Sequence, residues 1–252
     1  MEKKHETGHA INVIKFEELY MWCSKFGKKF NPAKAAIKLE NMQAMIDQGK
    51  ARLEEVKVAH SKMSTAITMR SRAFGELDKL VTRINNAVAS LDILPEAITK
   101  IAASVRKFRG VRAKPLPEEE GTKVMDENES VDKEVEKRNA KAQRSYNRKV
   151  VNFKNLVALV EAEANYLPNE LELQIESLRA VVNEIETRNL LAKSTRATFI
   201  TAIIARDKLL YEENIGMVPS AYIAKKYVKS VFGPTSREFK TISPIPFTYG
   251  SN

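Results

Sequence analysis

Hydrophobic positions recur along this chain in steps of three and four, the spacing that keeps side chains on one face of an α-helix. The longest seam runs Leu39, Met42, Ile46, Gly49, Leu53, Val56, His60, Met63, Ile67, Arg70, Phe74, Leu77, Val81, Ile84, Val88 and Leu91, and only Gly49, His60 and Arg70 are not apolar. Asn31-Pro32 supplies a helix cap followed by a proline suited to the first turn. The pattern predicts one continuous helix from about Pro32 to Ser90, roughly 85–90 Å long. A break at Gly49 would divide it in two. A lone glycine costs only about 1 kcal/mol in a helix interior, and no proline accompanies it.

A second seam runs from Leu171 through Ile175, Leu178, Val182, Ile185, Asn189, Ala192, Arg196, Phe199, Ile203 and Arg206 to Leu210. A third steps from Val135 through Tyr146, Val150, Phe153, Val157 and Val160 to Ala164. Both meet the Leu167-Pro168 corner, so segments 131–165 and 168–212 are expected to form an antiparallel helical hairpin against which the first long helix packs. Two shorter helices are expected, Pro95 to Phe108 before Gly110, and Pro219 to Phe232 before Gly233-Pro234. Each long seam is thus followed by a short helix ending in basic residues, Phe and Gly. This suggests a helix-level duplication of about 30–112 against 168–233.

Two stretches break the helical pattern. Residues 111–130 carry Lys114-Pro-Leu-Pro and Glu118-Glu-Glu-Gly and read as an exposed acidic loop. At the ends, Ala10–Phe16 has strand-like composition, and Phe239–Phe247 includes Pro244 and Pro246 in an extended run. Both prolines remove donors from the same strand edge, so the intact edge of the tail is expected to pair with Ile11–Phe16 in a small two-stranded ribbon joining the termini. The expected fold is therefore all-α: an elongated antiparallel bundle over 31–232, an N-terminal extended segment and short helix over 1–30, and an extended tail over 233–252.

Composition agrees with long helices. Aromatics are 7%, and Gly and Pro number nine each, too few for a turn-rich β-fold. One cysteine, Cys23, excludes an intramolecular disulfide. No run of about 18 apolar residues is present; the nearest, Ala197–Ala205, is half that and flanked by Arg196 and Arg206. With no signal-peptide pattern at the start, a cytoplasmic protein is expected. The run Tyr227-Val-Lys-Ser-Val-Phe-Gly-Pro-Thr-Ser, together with Leu80-Val-Thr-Arg-Ile-Asn-Asn-Ala, resembles an uncharacterised family of bacterial helical proteins of about this length. That resemblance implies helical architecture and no activity.

Candidate chemistry is sparse. His5-Glu-Thr-Gly-His9 matches the H-E-x-x-H pattern of zinc peptidases, which needs two histidines on one helix face, a third ligand and a cleft. Here it sits at the chain start with Gly8 inside it, and the only other histidine is His60, so neither a metal nor a cofactor is expected. The seam residues His60, Arg70, Asn189, Arg196 and Arg206 read as register-setting polar groups or as a polar layer lining an internal pocket.

Net charge is +10. Basic residues gather in two runs, Arg106, Lys107, Arg109, Arg112, Lys114 and then Arg138, Lys141, Arg144, Arg148, Lys149, which could hold phosphates. The acidic stretch before the second run could screen it. These features predict a non-enzymatic structural or protein-interaction scaffold, with a protein partner or self-association. A module for nucleic acid or another polyanion, and a pore-forming helical protein, are the competing classes.

Overall fold

The computed structural model describes residues 4–111 and 145–249. Among these residues the fold is all-helical, with no strand. The α-helices are α1 (Lys4–Lys25), α2 (Leu39–Gly75), α3 (Leu77–Ser90), α4 (Pro95–Arg109), α5 (Tyr146–Glu161), α6 (Ile175–Tyr211), α7 (Met217–Phe232) and α8 (Arg237–Ile242). They build two compact units, Met1–Ser64 with Thr195–Asn252, and Thr65–Ser194. The long helices α2 and α6 each contribute one part to each unit.

The long first helix is present, with two corrections. It starts at Leu39 rather than Pro32, because Lys34 and Lys38 are extended around a 3-10 turn, Ala35–Ile37, that buries Ile37. Asn31 does not begin the helix; its N–H donates to the Tyr227 hydroxyl at 3.2 Å. The helix then bends at Gly75-Glu76, where Glu76 keeps near-helical torsions and α3 continues the 52-residue path to Ser90. Gly49 does not break it.

In the unit Thr65–Ser194, the predicted hairpin is seen over α5 and the first part of α6; residues 131–144 of its first arm lie outside the described residues, and its second helix starts at Ile175, after a 3-10 turn Leu171–Leu173, and not at Pro168. Arg179 pairs with Glu161, Lys154 with Glu186 at 3.0 Å, and Asn189 Nδ2 donates to Asn147 Oδ1 at 2.8 Å, so α5 and the first part of α6 run antiparallel. The bent helix joins them through Arg83 with Glu172 and through Arg188 against Met69. Helix α4 returns along α3, with Arg109 Nη2 donating to Thr82 Oγ1 at 2.7 Å. The core contains Val81, Ile84, Phe108, Phe153, Leu156 and Leu178.

In the other unit, α1 and α7 enclose the start of α2 and the end of α6. Phe26 meets Phe232 and Phe30 meets Tyr227, with ring centroids 5.3 and 5.4 Å apart. Ala10–Phe16 is helical, not extended: Val13, Phe16, Leu19 and Cys23 all turn into this core, and their burial outweighs the weak strand preference of Ile and Val. The two-stranded ribbon is therefore absent. The termini do meet, but through a side chain. Asn12 Nδ2 donates to the Thr248 carbonyl at 2.7 Å, and Asn12 Oδ1 accepts the Thr248 N–H at 3.1 Å. A single amide side chain thus makes the pair of bonds a strand would have made. Residues 237–242 of the tail are helical, and beyond them Ile245 and Phe247 are buried. Tyr222 donates its hydroxyl proton to the Phe247 carbonyl at 3.0 Å, and Lys225 donates to the Ser243 and Ile245 carbonyls.

The two halves repeat one order of elements, with the short helices corresponding differently from the expectation. Both long helices have 37 residues, and each follows a three-residue 3-10 turn and one extended residue. Buried positions correspond along the two halves: Val13/Val150, Phe16/Phe153 and Leu19/Leu156 on α1 and α5, and Met42/Leu178 and Ile46/Val182 on α2 and α6. The counterpart of α7 is α3, not α4, with Leu77/Met217, Val81/Ala221, Ile84/Ala224 and Val88/Val228 all buried.

Gly49 marks a place where the halves differ, since Ile185 is its counterpart. A Cβ on Gly49 would lie 2.9 Å from Met217 Cε and 3.1 and 3.3 Å from the Val13 methyls. Met217 can swing aside, but β-branched Val13 cannot. Gly49→Ala is therefore expected to lower stability by about 1–3 kcal/mol, through overpacking. This reverses the gain of about 1 kcal/mol that helix propensity alone would give. Urea unfolding of the two proteins checks it.

Candidate functional site

Of the ten basic residues singled out in sequence, the structure describes Arg106, Lys107, Arg109, Arg148 and Lys149. Arg112, Lys114, Arg138, Lys141 and Arg144 lie outside the described residues, as does the acidic stretch. The five come from two runs far apart in sequence, and folding brings them to one corner. Asn152 Nδ2 donates to the Lys107 carbonyl at 3.2 Å, and the Phe108 and Phe153 rings pack with centroids 6.2 Å apart. The last turn of α4 is thereby pinned beside the first turns of α5.

Within this corner the residues differ in role. Lys149 is largely buried, 3.0 Å from Asp78 Oδ2 and 5.2 Å from the centre of the Phe108 ring, so it serves the fold. Arg106, Lys107, Arg109 and Arg148 are exposed, and no carboxylate among the described residues pairs with them. The three on α4 sit at a helix C-terminus, where cations interact favourably with the helix dipole. Arg148 sits in the opposite situation. The first turn of α5 has no acid, and a cation there opposes the dipole by about 0.3–1 kcal/mol. Four cations without a carboxylate partner among the described residues, beside a helix N-terminus, make a positive corner able to take phosphate or sulfate groups.

The polar seam residues do not gather in one place. His60 packs on Phe199, 5.2 Å between ring centroids. Arg70 stacks over Tyr146 at 4.1 Å, and its Nε is buried without a hydrogen-bond partner among the described residues. Arg206 is buried and pairs with Asp207 at 2.7 Å. Arg196 is exposed, and Asn189 bonds Asn147. Asn189 Oδ1, like Arg70 Nε, is buried without a hydrogen-bond partner among the described residues, and no common pocket joins the five groups there. The H-E-x-x-H pattern lies within α1, and His9 is committed to the fold: its Nδ1 is 2.7 Å from the Tyr211 hydroxyl, which also accepts from Asn12 at 3.2 Å.

A second surface was missed in sequence. On α1, Ile11, Ile14, Met21 and Trp22 face outward, at 48%, 60%, 50% and 36% exposure. The inner face of the same helix is apolar at Val13, Phe16, Leu19 and Cys23, with His9 and Asn12 as its buried polar groups. An apolar stripe on both sides blurs the amphipathic pattern, which is why the segment resembled a strand. Its signal was the second stripe itself, stepping from residue 11 to 14 and on to 21 and 22. In the corresponding helix α5 the matching positions are Arg148, Val151, Ala158 and Leu159. Of these outer positions only the first changes character, from Ile11 to Arg148, and Val151 is itself 47% exposed.

Comparison with family models, curated proteins and solved structures gives no match.

Burial also shapes the titration of two side chains. The Cys23 thiol is pushed up to about 12 by burial. Burial, and then the charge of Glu170, push the Tyr166 hydroxyl to about 12, while that hydroxyl donates to the Leu173 carbonyl at 3.0 Å. Both folded values are raised, so the folded state favours the protonated forms. Their contribution to stability is intact below the unfolded values, near 9.0 for the thiol and 10.0 for the phenol, and is lost as pH rises towards about 12. The expected outcomes are no reaction of Cys23 with a thiol-specific disulfide reagent at pH 8 until denaturant is added, and a melting temperature that falls steeply across that alkaline range.

Proposed function

We propose that this protein acts by binding and not by catalysis, as a helical scaffold that docks another polypeptide on the outer face of α1. The observation that carries the reading is the row of exposed apolar side chains on α1 itself. Ile11, Ile14, Met21 and Trp22 hold their apolar surface in water, and at the position matching Ile11 helix α5 carries Arg148 instead. Exposed apolar side chains of this size gathered on one helix are a feature of interaction surfaces. A photo-crosslinking amino acid at position 14 in otherwise native protein tests it. A covalent adduct to a polypeptide in the source cells is expected, and its absence there sinks the reading.

A second reading is favoured by the basic corner: contact with nucleic acid or another polyanion through Arg106, Lys107, Arg109 and Arg148. Among the described residues no helix is long and apolar enough to cross a membrane, so the pore-forming class gains no support from them. If the corner binds polyanions, retention on heparin should fall as salt rises. Reversing Lys107 and Arg148 to Glu together should weaken binding about 10-fold or more at low salt and flatten the dependence on salt. Unchanged retention in that double variant would exclude the corner.

A further inference from the structure

We infer that the polypeptide docked on α1 is a second copy of this chain, paired antiparallel through α1 about a twofold axis near Phe16-Glu17. The inference rests on the scaffold reading above and adds the identity of the partner. Three observations on α1 support it. The exposed face is apolar at Ile11, Ile14, Met21 and Trp22, enough for one helix to lie along it. Between Gly8 and Lys25 the charges balance, Lys15 and Lys25 against Glu17 and Glu18, within a chain of net charge +10. Two copies of so basic a chain repel one another over most of their surface, and a locally neutral face is where that repulsion is least.

The arrangement of the face is also self-complementary. In an antiparallel pair centred near Phe16-Glu17, Ile11 of each copy lies across from Met21 and Trp22 of the other, and the two Ile14 side chains approach near the middle. Lys15 of each copy comes beside Glu18 of the other. In the single chain Lys15 and Glu18 already bond to each other at 2.8 Å with both side chains about one-third exposed, so they are placed to share that bond across the axis. Trp22, covered on one side by Lys25 with its Nζ 5.1 Å from the ring centre, supplies the aromatic anchor. An interface made by one helix from each copy is small beside the roughly 1,600 Å² of standard-size interfaces, so a reversible dimer is expected.

The test uses the full chain in sedimentation equilibrium from low to several hundred micromolar, with the position-14 crosslinker as a second readout. A monomer–dimer equilibrium is expected. Ile14→Glu, at an outward position that leaves the helical circular dichroism unchanged, should make the protein monomeric throughout. Lys15→Glu and Glu18→Lys should each weaken the dimer about 5-fold or more, and the double variant, which restores opposite charges across the axis, should recover it. A monomer at the highest concentration, or a dimer that survives Ile14→Glu, overturns the inference. Crosslinked adducts in cells containing a different protein and no doubled chain also overturn self-pairing while leaving the scaffold reading intact. A monomer with no adduct of any kind overturns both.

Discussion

A 37-residue amphipathic helix cannot bury its own seam, and that constraint organises every other element. The seams of α2 and α6 have to be covered along their length by side chains from elsewhere. Near each end, short helices supply that cover: α1 and α7 around Met42, Ile46 and Leu210, and α3, α4 and α5 around Leu178, Val182 and Ile185. Burial of such side chains contributes about 1.5–3 kcal/mol each, far more than helix propensity can. Outside these two clusters Val56, Ala59, Ala66, Asn189, Ala192 and Arg206 are also buried, whereas His60 and Ile67 of the same seams are exposed.

Repetition of the same solution explains why the chain can be read against itself. A short helix, a buried aromatic at Phe30 or Tyr166, a 3-10 turn, a long helix and a further short helix occur in that order twice. Positions facing the core keep their apolar character because close packing penalises any change of volume or polarity there. Positions facing water are under no such restraint, so differences between the halves record other demands. On the outward face Ile11 of α1 corresponds to Arg148 of α5, while the other three positions are apolar in both helices. The return element after the second short helix differs as well: α4 is a full helix, whereas residues 237–249 form one short helix and an extended strap held by Asn12, Tyr222 and Lys225.

Within the strap region, polar groups are satisfied by side chains and not by a sheet. Pro244 and Pro246 lack N–H donors, so no regular ladder could use every residue of that segment. The carbonyls of Ser243, Ile245, Phe247 and Thr248 are met instead by Lys225, Tyr222 and Asn12. Burial of Lys225 lowers its pKa, the cost of placing an ammonium group between those carbonyls and the Phe247 ring.

What the amino-acid sequence determined by itself is the helices from α2 to α7: steps of three and four are a local property, and so are the stops at Gly110 and Gly233, both with positive φ. The hairpin at Leu167-Pro168 was legible for the same reason. Helix starts were less so, because Asn31-Pro32 is a good local cap that the Tyr227 hydroxyl claims for another purpose. Only tertiary structure decided that Ala10–Phe16 is a helix, since its residues favour neither state strongly and the burial of Val13 and Phe16 is what tips the balance. Only tertiary structure, too, placed Arg106, Lys107 and Arg109 beside Arg148 while pairing Lys149 with Asp78. Periodicity says which side chains share a face of one helix; which faces meet depends on contacts between residues distant in the chain, and no local pattern carries those.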